Sequence, residues 1–178
     1  MAIQNNAAFE RAVKLAVVTG LRAALGPALL AAAHNRPERN NLAMAALGEM
    51  VVDKLPLVPS RSSLPMLVPR ALAGAWVVHE SLKHDGVEEP WAAPLGAAVA
   101  VGAATFAPKI RGLIHTLLGI PQPVLGVVED YLALKLGGEA VGLSMDDLKQ
   151  IGNRSVDEIK GHLMPAVEEV RGRLLPTG

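Results

Sequence analysis

The chain contains no cysteine in its 178 residues, and aromatic side chains make up only 3%. Lacking cysteine, it can have no disulfide framework, no thiolate nucleophile and no thiolate-bound metal, and the redox compartment stays open. An excess of either charge is also missing. Seventeen basic and seventeen acidic residues cancel, which removes any global electrostatic argument for a nucleic-acid partner. Catalytic signatures are absent too. His79 and His84 stand five apart, about 140° from one another on a helix, and no His-x-x-x-His occurs, so no metal site is expected. Ser60, Ser62 and Ser63 lie in a proline-rich turn without a Gly-x-Ser-x-Gly elbow. With no Walker loop and no dinucleotide fingerprint, the expectation is a protein that is not an enzyme and carries no cofactor.

What is abundant is alanine, leucine, valine and glycine. Apolar residues reach 51%, charged residues only 19%, and the mean hydropathy of +0.31 lies between soluble and membrane proteins. The nineteen residues between Glu89 and Lys109 carry no charge, enough to cross a bilayer. Within them Gly96, Ala100 and Ala104 repeat every four residues, the small-residue stripe that lets membrane helices approach closely. An Ala-rich core helix of a soluble bundle is the alternative.

Periodicity and breakers predict an all-α chain. A first helix covers about residues 7–33, kinked at Gly26-Pro27. It is read as retained although Ala31 to Ala33 resembles a signal-peptidase site, because Arg22 interrupts the apolar run. Further helices are expected over about 42–55, 66–82, 91–108 and 123–136. The fourth continues beyond Pro108 as an amphipathic piece, and the fifth ends at Gly137-Gly138. The architecture is then a compact bundle of about five membrane-embedded helices over 7–142, followed by a polar linker and amphipathic helix over 143–178. Ser155 and Glu158 form a capping box for that last helix. Its apolar stripe of Val156, Ile159, Leu163, Val167, Val170 and Leu174 suits docking on its own domain, on another copy or on a partner protein.

The chemistry concentrates in residues 47 to 61. Glu49 and Asp53 are four apart, hence on one helical face, with Lys54 beside them and Pro56 and Pro59 closing the run. Charges inside an apolar helix need partners. Glu129 and Asp130 are the opposing acids, and Arg22, Arg70 and Lys135 the counter-charges. A shift of 81 positions pairs Pro27 with Pro108, Glu49 with Asp130 and Lys54 with Lys135. That suggests two short inverted repeats, each a broken helix followed by an acidic one.

Gly20-Leu21-Arg22 with Gly26-Pro27, then Leu47-Gly48-Glu49-x-x-x-Asp53-Lys54-Leu55-Pro56, Pro59-Ser60-Arg61 and Arg70 to Ala75, resemble the uncharacterised bacterial membrane family known as domain of unknown function 4126. The resemblance covers about residues 10–137 and implies a multi-helix inner-membrane protein without implying an activity. Two expectations follow. One is a small transporter- or channel-like protein with a cation or proton site at Glu49, Asp53, Lys54, Glu129 and Asp130. The other is a non-catalytic membrane scaffold or assembly subunit whose charged helices are structural and whose C-terminal helix binds a partner. A soluble helical binding module is the third reading. In either membrane reading the lipid bilayer is the first partner, and counting basic loop residues puts the N-terminus in the cytoplasm.

Overall fold

The structure, a computed structural model, describes residues 2–52, 63–157 and 161, with side chains from Asn6 onward. Among the described residues it is all helical: α1 (Ala2–Leu21), α2 (Leu25–Ala33), α3 (Arg39–Val52), α4 (Leu64–His84), α5 (Ala92–Leu118), α6 (Gln122–Val141) and α7 over 145–157. The all-α expectation therefore holds. Five membrane helices do not follow from it, because only Ala92–Leu118 among the described residues is long and apolar enough to cross a membrane. The others are too short or not apolar enough: α2 has nine residues, and α6 carries Glu129, Asp130, Lys135 and Glu139.

α1 is the central helix. Alanine at positions 8, 12 and 16 gives it one buried small-residue face, and Leu15 and Val18 bury another. α4 and α5 pack on the first with Val78, Leu82 and Ala92, while α2 and α6 pack on the second with Leu29, Leu30, Ala133 and Ala140. α3 flanks α2 through Ala46. The expected stripe on α5 is the buried one: Ala92, Gly96, Ala100 and Ala104 face inward. A Cβ on Gly96 would stand 2.8 Å from Val78 Cβ, and one on Gly74 2.6 Å from the Gly96 carbonyl oxygen. These glycines are required by the close approach of α4 to α5.

The first expected helix is in fact two. The chain leaves helical geometry at 22–24, and α2 runs back along α1. Arg11 and His34 line a single cavity, whereas 23 residues of continuous helix would set them about 35 Å apart. Pro27 is not the kink. It is the third residue of α2, where its missing N–H would have been unpaired in any case. Gly26 beside it lets α2 approach, since a Cβ there would meet the Leu15 carbonyl oxygen at 3.1 Å.

Three other boundaries differ from expectation. α5 continues through Pro108, so the broken helix of the first repeat has no counterpart in the second. α6 runs past Gly137-Gly138 to a left-handed Gly142 at φ 73°. A Cβ on Gly137 would stand 3.3 Å from Val18 Cγ1, and one on Gly138 3.0 Å from Leu148 Cδ1. The pair is there for packing, not for stopping. The capping box belongs to Ser144 and Asp147: Ser144 N–H donates to Asp147 Oδ2 at 2.9 Å, and Asp147 N–H to Ser144 Oγ at 3.2 Å. Ser155 is buried and donates to the Ile151 carbonyl oxygen, so it lies inside α7.

Among the described residues, α4, α5 and α6 each carry an exposed apolar face. Leu64, Val68 and Leu72 on α4, Phe106, Ile110, Leu113 and Leu117 on α5, and Val124, Val127, Val128 and Leu132 on α6 are all exposed. Arg22, Arg70 and Asp130 are instead buried. Buried arginine and aspartate beside so many exposed large apolar side chains is the informative departure from the arrangement usual in water.

Candidate functional site

The break between α1 and α2 opens the backbone hydrogen-bond ladder inside the bundle. It leaves carbonyls at the end of α1 and amides at the start of α2. Charged side chains from three other helices meet it there.

Glu49 comes from α3, three residues after buried Ala46 and hence on the same helical face. Its Oε1 accepts the Ala23 N–H at 2.9 Å and its Oε2 the Ala24 N–H at 3.0 Å. A carboxylate across the first amides of α2 also complements the positive end of that helix dipole. Arg70 comes from the buried face of α4, shared with Gly74, Val77 and Val78. It donates through Nη2 to Glu49 Oε1 at 2.8 Å, through Nε to the Gly20 carbonyl oxygen at 3.2 Å and through Nη1 to the Met66 carbonyl oxygen at 2.9 Å. One guanidinium thus joins α1, α3 and its own helix.

Arg22 lies in the break itself, 1% exposed. It donates to the Leu21 carbonyl oxygen at 3.0 Å and pairs with Asp130 on α6. Asp130 falls on the α6 stripe of Gly126, Ala133 and Gly137, so its carboxylate points into the bundle. Glu129, one residue off that stripe, stands 3.8 Å from Arg22 and 3.3 Å from Arg111 of α5. Among the described residues, Arg22, Arg70 and Arg111 therefore face Glu49, Glu129 and Asp130.

Of the expected site, Glu49, Glu129 and Asp130 all gather at the break with Arg22 and Arg70. Asp53 and Lys54 lie outside the described residues. Lys135 is exposed and makes no ion pair among the described residues. It is five residues past Asp130, on the far side of α6, so its expected part as a counter-charge is corrected. Sequence reasoning missed Arg111. It is three residues after Pro108, and the continuity of α5 through that proline is what carries it to Glu129. Among the described residues no cluster of histidine or carboxylate side chains has metal-holding geometry.

A second polar group lies at the other end of the bundle. Arg11 pairs with Asp85 at 2.8 Å, and Arg36 with Glu80. The rings of His34 and His84 stack with centroids 3.9 Å apart. Arg11, His34, His84 and Asp85 frame a cavity of about 420 Å³ with Ser81 and Glu139. Burial, followed by His84 and Arg36, holds the His34 imidazole below its ordinary range.

Comparison with protein-family models, curated proteins and solved structures finds no match for this chain.

Proposed function

We propose that the chain is an integral membrane protein of non-catalytic kind, a scaffold or assembly subunit whose buried charges hold its fold together. The observation that carries this reading is the inverted distribution of side chains. Arginine–carboxylate pairs converge on a helix break in the interior, and large apolar side chains are exposed along α4, α5 and α6. A contiguous apolar exterior marks a membrane or partner surface, and ionisable groups in membrane helices turn inward and pair. Only 17% of the most apolar window of α5 is buried, which a soluble core helix would not match. Several helices would then be embedded together, α5 crossing alone by length and the rest sheltered by their pairs. The resemblance over residues 10–137 agrees, with the bacterial inner membrane as location, and α7 with the chain beyond it is the candidate contact for a partner.

The test is extraction of membranes with alkaline carbonate, followed by detergent. The protein should stay in the pellet through carbonate and leave it only with detergent. Recovery in the carbonate supernatant would refute the membrane reading.

A transporter-like function is the second reading, favoured by one observation: a discontinuous helix at the charged centre is where small transporters place their sites. Glu49→Gln separates the two. In the structural reading it lowers thermal stability and reconstituted liposomes show no ion or proton flux with either protein. In the transport reading wild-type liposomes show flux and the folded variant loses it.

A further inference from the structure

Beneath α7 lies a cavity of about 300 Å³ that the charged site does not use. Its walls come from α2, α3, α6 and α7, and small residues make the space: Ala28 on α2, Ala46 on α3 and Gly152 on α7 all face it, with Met50 at one side. Small side chains on facing helices ordinarily let the backbones close up. Here, among the described residues, they leave a hollow that is open along one side. An apolar cavity of about 150 Å³ already takes up benzene. Twice that volume accommodates an unbranched hydrocarbon chain of about ten carbons, and methionine adapts its shape to such a guest.

The cavity is not apolar throughout. Lys149 and Asn153 are the polar residues among those described around it, one turn apart on α7. The Lys149 side chain is 69% exposed, and its pair with Asp146 lies in solvent at 3.1 Å, an arrangement that holds the ammonium only weakly. An apolar chamber with an amide and a loosely held ammonium at its edge matches an amphiphile with one chain and an acidic head. A volume of about 300 Å³ holds one such chain.

We propose that this cavity is a binding site for a single-chain fatty acid, its hydrocarbon lying between α2, α3 and α7 and its carboxylate at Lys149. The site is independent of the charged cluster at the helix break.

Equilibrium binding of radiolabelled dodecanoate to the full chain in phospholipid nanodiscs, with empty discs subtracted, tests it. One saturable site per chain is expected. A Cβ at Gly152 meets nothing within 4 Å, so Gly152→Phe should fold normally, fill the space and weaken binding at least tenfold. Gly152→Leu serves the same purpose if circular dichroism shows the phenylalanine variant misfolded. Lys149→Gln should weaken dodecanoate several-fold and leave the affinity for dodecan-1-ol unchanged. Absence of saturable binding over empty discs overturns the proposal. Undiminished binding by a folded Gly152 variant, or a diacyl phospholipid in the cavity by native mass spectrometry, does the same.

Discussion

Replacing Arg22 by methionine removes the guanidinium that answers Asp130 and leaves both α6 carboxylates in the bundle. Arg22 is 1% exposed and the Asp130 side chain 11% exposed, so water cannot take over the lost contact. Breaking a buried ion pair from one side costs about 3–5 kcal/mol, a large part of the roughly 5–15 kcal/mol that holds an ordinary domain folded. At about 2–4 °C per kcal/mol for a chain of this size, the melting temperature should fall by roughly 6–20 °C. The double variant Arg22→Met with Asp130→Leu removes both charges and fills their volume, and such replacements are often neutral or stabilising. It should recover most of the loss, short of about 1 kcal/mol for the hydrogen bond to the Leu21 carbonyl oxygen. Thermal unfolding of the purified protein and its variants in one detergent, followed by circular dichroism, measures the cycle. If the double variant melts as low as Arg22→Met, or the single variant melts with the wild type, the pair is not the structural tie described here.

Other consequences are equally direct. Gly96→Ala forces a methyl against Val78 and the Gly74 carbonyl and should cost about 1–3 kcal/mol. Gly102→Ala, with no neighbour within 4 Å of the new Cβ, should gain about 0.5–1 kcal/mol; the order of melting temperatures checks both. Ser144→Ala removes the cap of α7 and should speed amide hydrogen exchange over 145–150 while the other helices keep their protection. The Ser144 hydroxyl and amide hold the Asp147 carboxyl below its ordinary range. That contribution is complete above about pH 3.8 and lost as pH falls through the lower folded value, so acid should release α7 first in an exchange experiment. The His34 imidazole is held low in the folded protein, so its contribution is complete above about pH 6.5 and lost as pH falls through its folded value. Stability should therefore drop as pH falls below about 6.5, and His34→Asn should flatten that dependence.

Much of this was legible from residue spacing. The Gly96, Ala100, Ala104 stripe gave the face on which α5 meets α4, because a four-residue repeat of small side chains has one reading on a helix. The acids Glu49 and Asp130 were marked by their cost inside apolar runs, which no surface role would explain. The misreadings share one cause, the use of glycine and proline as punctuation without knowledge of their neighbours. Pro27 and Pro108 were both read as breaks, yet one sits harmlessly in a first turn and the other inside a continuous helix. Gly137-Gly138 was read as a stop, yet those glycines make room for Val18 and Leu148. Nothing local distinguishes these cases, because the deciding atoms are more than a hundred residues away for Val18 and Gly137.

Why carboxylates and arginines gather at residues 20–24 can be argued from the broken backbone itself. The end of α1 presents carbonyls and carries partial negative charge; the start of α2 presents amides and carries partial positive charge. Left open in an apolar interior, each group would cost about as much as a lost buried hydrogen bond. Arg70 covers the Gly20 carbonyl, Arg22 covers that of Leu21, and Glu49 spans the amides of residues 23 and 24. These side chains introduce charge of their own, so Arg70 also binds Glu49, while Asp130 binds Arg22 and Glu129 faces Arg111. The set is complementary to a helix that turns back inside the bundle, and its arginines would oppose a cation placed beside them. Each carboxylate described at the break faces an arginine, and Arg22, Arg70 and Glu49 each also cover an open backbone group, as a tie between helices requires.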